Sequence, residues 1–202
     1  MRRSVFALAG IATVIACGGP ALAQQRELSA DEAKQFFAQV QQDATKLVQG
    51  GDPAAIRQWT ARHLTDDAKF RVLVETLHDN QPKAWSAADL EKADIERMQG
   101  LMGGALLRSI QDYALHIDVT TVVPHGPDAA TVQATWSDSA KIVPPAQRAA
   151  AQAQNTVGQA PQNGAPPTTV QFKRTAQCDH LLVREQGELK LGLSSCRGQV
   201  QF

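Results

Sequence analysis

The chain carries no surplus of charge. Its 202 residues hold 20 basic and 20 acidic side chains, and no basic patch stands out. That argues against nucleic acid as a partner. No apolar run reaches the roughly 20 residues that a membrane-spanning helix needs. There is no phosphate-cradling glycine loop, no serine elbow with its histidine and acid in order, and no zinc-ligand spacing. No cofactor or metal is therefore expected. No Cys-x-x-Cys occurs, which removes the usual redox pair, and no internal repeat is evident. Aromatics are few, with one tyrosine, three tryptophans and six phenylalanines.

The first 23 residues fill in part of the picture. Arg2 and Arg3 precede an uncharged apolar run, Val5 to Ala16. Gly19-Pro20 breaks it, and Ala21-Leu22-Ala23 ends it with small residues before Gln24. This is the pattern of a secretory signal peptide. Arg2-Arg3 also hints at twin-arginine export, although Phe6 follows one residue too late. The expected compartment is periplasmic or extracellular. A second cleavage stays open: Val14-Ile15-Ala16-Cys17 resembles a lipobox, and its use would leave a lipid on Cys17 and tether the protein to the envelope. Cleavage after Ala23 is favoured. It leaves 18 basic residues against 20 acidic ones, a single domain over 24–202, and two cysteines, Cys178 and Cys196.

Helical spacing follows the leader. Ser29 and Glu32 form a capping box. Phe36, Phe37, Val40, Ala44, Leu47 and Val48 recur at helical intervals, and Gly50-Gly51 stops them. Asp52-Pro53 caps a second helix carrying Ile56, Trp59, His63 and Leu64. Phe70, Val72 and Val74 alternate as a half-buried strand. Asp79 to Lys83 read as a turn. Ser86 to Asp89 read as the cap of a third helix, with Ile95, Met98, Met102 and Leu106 along its stripe and a kink at Gly103-Gly104. From Tyr113 the period becomes two, with Tyr113, Leu115, Ile117 and Val119 on one face and His116 and Asp118 on the other. His125 to Asp128 turn the chain into a strand with Val132, Ala134 and Trp136. Residues 144–168 are a proline-, alanine- and glutamine-rich insertion. Val170 and Phe172 open the next strand.

The last hairpin can be given a register. Packing Val183 opposite Leu191 and Leu181 opposite Leu193 implies a three-residue loop, Gln186-Gly187-Glu188. It places Cys178 opposite Cys196, close enough for a disulfide. Helices followed by a run of strands give an α+β class, with N-terminal helices packed on a curved antiparallel sheet.

From Val40 to Val72 the chain carries Gly51-Asp52-Pro53, then Ile56 and Trp59, then Leu64-Thr65-Asp66-Asp67-Ala68-Lys69-Phe70. This segment resembles the opening of the cystatin-like cone shared by nuclear transport factor two, ketosteroid isomerase, scytalone dehydratase and the SnoaL-like proteins. The resemblance implies a pocket between helices and sheet. Some members place a carboxylate or histidine there for catalysis and others only bind, so fold does not choose.

The candidate site residues follow from these faces. His116 with Asp118 would make an acid–base pair if their face lined the cone, but Leu115 and Ile117 claim the core face more strongly. Asp67 with His63 is a weaker pair, because Asp66 and Asp67 fit a structural turn and His63 a helix face. Tyr113, Trp59 and Trp136 are candidates for lining a ligand pocket, although core packing is favoured for each, as it is for Trp85. His180 shares the cysteine face and reads as structural or solvent-facing. The leading expectation is a binding or accessory protein for an envelope protein partner or a small apolar ligand. A small isomerase, dehydratase or hydrolase is the alternative, and a lipid-anchored subunit of an envelope assembly is a third.

Overall fold

The computed structural model describes residues 26–50, 52–78, 81–143 and 169–202. The leader, Cys17 and the 144–168 insertion lie outside the described residues, as do Gly51 and the side chains of Met98, Met102 and Leu106. Three helices and six strands follow in the order α1 (Ala30–Gly50), α2 (Pro53–His63), β1 (Leu64–His78), β2 (Gln81–Glu91), α3 (Lys92–Ser109), β3 (Ile110–Pro124), β4 (Ala129–Ile142), β5 (Val170–Glu185) and β6 (Glu188–Gln201).

Helix α1 starts where its capping box sits. The Ser29 backbone N–H donates to Glu32 Oε2 at 2.9 Å, and the Glu32 N–H donates to Ser29 Oγ at 3.2 Å. Its apolar stripe buries Phe36, Phe37 and Val40, and α1 lies chiefly against β3. The Asp52 carboxylate caps α2 by accepting from the Ala54 N–H at 2.8 Å, with proline at the first helical position.

The strands form one open sheet in the order β2-β1-β6-β5-β4-β3. Neighbours are antiparallel except β1 and β6, which run parallel. Helices on a mainly antiparallel sheet give the expected α+β class. The core lies between them, where Phe37, Val40, Leu64, Val132, Leu182 and Leu191 are buried.

Two local expectations are corrected. Residues 81–91 are a strand, so Gln81 to Lys83 do not turn and Ser86 to Asp89 do not cap a helix, while Asp79 and Asn80 of the expected turn lie outside the described residues. Lys69 to His78 pair with Glu91 to Gln81, so β2 satisfies the outer backbone groups of β1, and Asp89 pairs with Arg71 at 2.8 Å instead of capping. The third helix begins only at Lys92, where the Glu91 N–H donates to Asp94 at 3.0 Å. Trp85, on this edge strand, is half exposed under the Arg197 guanidinium and is not a core residue.

The final hairpin pairs Cys178 with Cys196 and Leu181 with Leu193, as expected. A bulge then brings Leu182 opposite Leu191 and Val183 opposite Lys190. The loop is therefore two residues, Gln186 and Gly187, both at positive φ (53° and 87°). That is the mirror-image turn suited to strand twist. The packing face is also reversed. Ala176, Cys178, His180 and Leu182 are buried, while Leu193 is 48% exposed.

Candidate functional site: an apolar cavity under the second helix

The helix-covered face of the sheet carries a partly open cavity of about 190 Å³. Period-two alternation builds its walls. Strand β1 supplies Phe70, Val72 and Val74, and β5 supplies Arg174, Ala176, Cys178 and His180. Past its bulge, β6 supplies Ser194, Cys196 and Gly198. Trp136 comes from β4 and Trp59 from α2. The disulfide between Cys178 and Cys196, with a Cα separation of 4.1 Å, forms part of the wall. A larger hollow of about 660 Å³ lies beside β1, β2 and α3. Its lining mixes charged side chains, among them the Arg71–Asp89 pair, with Phe70, Leu90 and Leu193, so the smaller and more apolar cavity is the better ligand site.

The polar groups on this side are largely committed. Asp138 is buried, and Arg174 clamps it through Nε–Oδ1 at 2.7 Å and Nη2–Oδ2 at 3.0 Å. Burial, together with the Asp138 charge, pushes the Tyr113 hydroxyl up to about 12. His180 is 2% exposed. The Trp136 indole N–H donates to its Nε2 at 3.0 Å, and burial pushes its pKa down to about 4. The ring is thus neutral at pH 7, with its proton on Nδ1. Neither His180 Nδ1 nor Trp59 Nε1 has a hydrogen-bond partner among the described residues.

Cys178, His180 and Cys196 place three potential metal ligands within 4.8 Å of one another. Both sulfurs are spent in the disulfide, and the Trp136 bond occupies the nitrogen lone pair that would ligate. The cluster does not fit a metal in this state.

The sequence candidates fall in several places. His116 and Asp118 are exposed on the outer face, opposite Ser137 and Thr135, so they do not line the cone. Asp67 is exposed and accepts from the Thr65 hydroxyl at 2.8 Å, and Asp66 pairs with Lys92 at 2.8 Å. His63 is buried, but its carboxylate is Asp43 of α1, with Nε2 at 3.0 Å from Oδ2. Trp59 and Trp136 do line the cavity. Tyr113 is half-buried on the inner face without being part of the lining.

Asp43 is the residue that sequence reasoning missed. Burial lowers the pKa of His63, while Asp43 pulls it back upward. Burial also works against the Asp43 carboxylate, yet bonds from Gln39, His63 and Arg62 hold its pKa below the ordinary value. No sequence signal links residues 43 and 63. For His180, the sequence leaves a structural or a solvent-facing role open, and the structure buries it.

No family model matches the chain, and no curated protein matches it. Solved structures do. An NTF2-like protein with a cystatin-like fold from Novosphingobium aromaticivorans is 13% identical, with 83% of this chain and 79% of that one covered and a TM-score of 0.45. A ketosteroid isomerase-like protein from Erwinia carotovora atroseptica is 14% identical, covering 84% and 98%, with a TM-score of 0.43. ActVI-ORFA from Streptomyces coelicolor is 17% identical, covering 83% and 95%, with a TM-score of 0.47. None of them carries a residue role over to this chain.

Proposed function

We propose that this is an exported, non-catalytic binding protein whose cone holds a small apolar ligand. The carrying observation is the cavity of about 190 Å³, walled mostly by aromatic and aliphatic side chains and a disulfide. A site of that size accepts a single-ring ligand, since an engineered apolar cavity of about 150 Å³ takes benzene. Among the described residues the lining offers no free base. His180 is neutral with Nε2 already bonded, and Arg174 is neutralised by Asp138. His116 and Asp118, the best acid–base pair in the sequence, face away from it. Export is supported by the leader pattern and by a disulfide of the kind that persists in oxidising compartments.

The test is native mass spectrometry on protein recovered from the periplasm of an expressing bacterium. The expected species starts at Gln24, has both thiols oxidised and retains a small organic molecule that denaturation releases. A lipid-modified mass starting at Cys17 would instead support the tethered envelope subunit. Cytosolic retention of the uncleaved chain would overturn the export reading. Conversion of the released molecule by the purified protein would overturn the non-catalytic one.

A further inference from the structure

Metal-ligating groups converge at the disulfide. Cys178 and His180 are two residues apart on β5 and so share a face, and Cys196 opposes Cys178 on β6. The two sulfurs and one imidazole nitrogen lie within 4.8 Å of one another. A tetrahedral zinc ion, with bonds of about 2.0–2.3 Å, would hold such atoms about 3.5–3.8 Å apart, so small side-chain rotations suffice. Two polar groups there are poorly served while the disulfide is closed. His180 is 2% exposed, yet its Nδ1 has no partner among the described residues. The buried Ser194 hydroxyl, opposite His180, meets Cys196 Sγ at 3.6 Å. A disulfide sulfur is a weak acceptor, whereas a thiolate accepts strongly. Buried polar groups left this way call for an explanation, a redox role among them. All four residues belong to the lining of the partly open cavity, so the cluster has an approach.

We propose that opening the disulfide turns this wall into a zinc site, with the Cys178 and Cys196 thiolates and the His180 imidazole as ligands and the fourth position on the cavity side. A dithiol reductant breaks the S–S bond, is itself oxidised to a disulfide and leaves two protein thiols. Each thiol releases its proton to solvent as the metal binds. The two thiolates balance the charge of the dication, and Ser194 donates to one of them. The Trp136 indole loses its acceptor in the exchange. Zinc on Nε2 displaces it directly, and zinc on Nδ1 moves the ring proton to Nε2. Metal and the Trp136–His180 bond therefore exclude one another. The site stands whether or not the cavity holds an apolar ligand.

The test compares the disulfide-intact protein with protein reduced by a dithiol and desalted without oxygen. Cobalt(II) is added first, because its thiolate complexes are coloured, and zinc second. The reduced protein should take up a single cobalt ion with the visible bands of a four-coordinate thiolate complex and lose them to zinc. The disulfide form should bind neither. In ¹⁵N-labelled protein, zinc should move the Trp136 indole N–H resonance of the reduced form only. Cys178→Ser, Cys196→Ser and His180→Phe should each weaken zinc binding at least about 100-fold, more than an outer partner's loss usually costs. If reduction loosens the fold, zinc should restore the folded circular dichroism of the reduced wild type. Absence of cobalt uptake by the reduced protein, folded or not, overturns the proposal. Equal uptake by the disulfide form overturns the redox dependence. Undiminished zinc binding in His180→Phe, with a still Trp136 resonance in the wild type, overturns the three-ligand site and leaves a thiol pair.

Discussion

The indole N–H of Trp136 donates to Nε2 of His180 at 3.0 Å, from one strand to its neighbour. That bond sets the chemistry of the cavity wall. In the disulfide form it fixes the proton of the neutral ring on Nδ1 and removes the ring as a metal ligand or a ready base. Phe37 packs against the same imidazole at a centroid distance of 5.0 Å, and the side chain is buried, so a cation there would be poorly solvated. A histidine that resists protonation is therefore part of the folded state.

This makes stability pH-dependent with a definite sign. The His180 pKa is near 6.5 unfolded and about 4 folded. Between those values the unfolded chain binds a proton that the folded one refuses, so stability falls as pH drops through the window. The loss amounts to about 3 kcal/mol once pH is below both values. His63 is shifted the same way by burial. Glu32 is held down at about 2 by its bonds to Ser29 and Arg184, so its contribution is lost only below pH 4.5. Urea midpoints at pH 7, 6, 5 and 4.5 should fall steadily, and His180→Phe should flatten the slope. A wild-type midpoint constant from pH 7 to 5 would refute this.

The disulfide should be worth more than its local contacts. Cys178 and Cys196 are 18 residues apart, a loop for which chain entropy gives about 3 kcal/mol. Reduction, or the double substitution Cys178→Ser with Cys196→Ser, should cost about that much in denaturant unfolding. Because the bridge is cavity wall, its loss should also weaken retention of the cavity's ligand. Peptide mapping without reductant should join the two cysteine peptides, and two free thiols in periplasmic protein would contradict the pairing.

How legible these features were depended on the range of the interaction. The Ser29–Glu32 cap, the Asp52-Pro53 start and the inward face of β3 are local patterns, and all stand in the structure. The cysteine pairing was legible although its supporting argument took the wrong face. Leu181 does oppose Leu193, and the bulge falls between that pair and the loop, leaving the Cys178–Cys196 register unaffected. Strand β2 was not legible. Ser86-Ala87-Ala88-Asp89 has the local form of a helix cap, and only the pairing need of β1 overrides it. The Asp43–His63 contact joins two helices 20 residues apart, and nothing in a single sequence marks such a pair.

That contact gives a prediction that separates a brace from a catalytic dyad. In Asp43→Ala the buried His63 loses its acceptor, and stability should drop by about 1–3 kcal/mol. The pKa of His63, measured by NMR, should fall further, because Asp43 is what pulls it upward. Asp43→Asn keeps an acceptor oxygen and should cost less. Ligand binding in the cavity should be unchanged in both, since neither Asp43 nor His63 lines it. A loss of binding without a loss of stability would make the pair part of the ligand site.

Gly198 tests how closely β5 and β6 must approach beside the disulfide. A Cβ at this position would lie 2.6 Å from the Ala176 Cβ and press on the Thr175 carbonyl oxygen, a backbone atom that no rotamer change can move. Gly198→Ala should therefore push the strands apart and cost about 1–3 kcal/mol, the usual range for overpacking. The strain falls two residues from Cys196, on a position that itself lines the cavity, so ligand binding in the cavity should fall with stability. Gly192, at the bulge, is the control on the same strand. Its nearest neighbour would be Val183 Cγ2 at 3.7 Å, an ordinary contact. Gly192→Ala should stay within about 0.5 kcal/mol of the parent and leave binding intact. Equal unfolding midpoints for the two variants would mean that the close approach at Gly198 is not what sets the spacing of the strands.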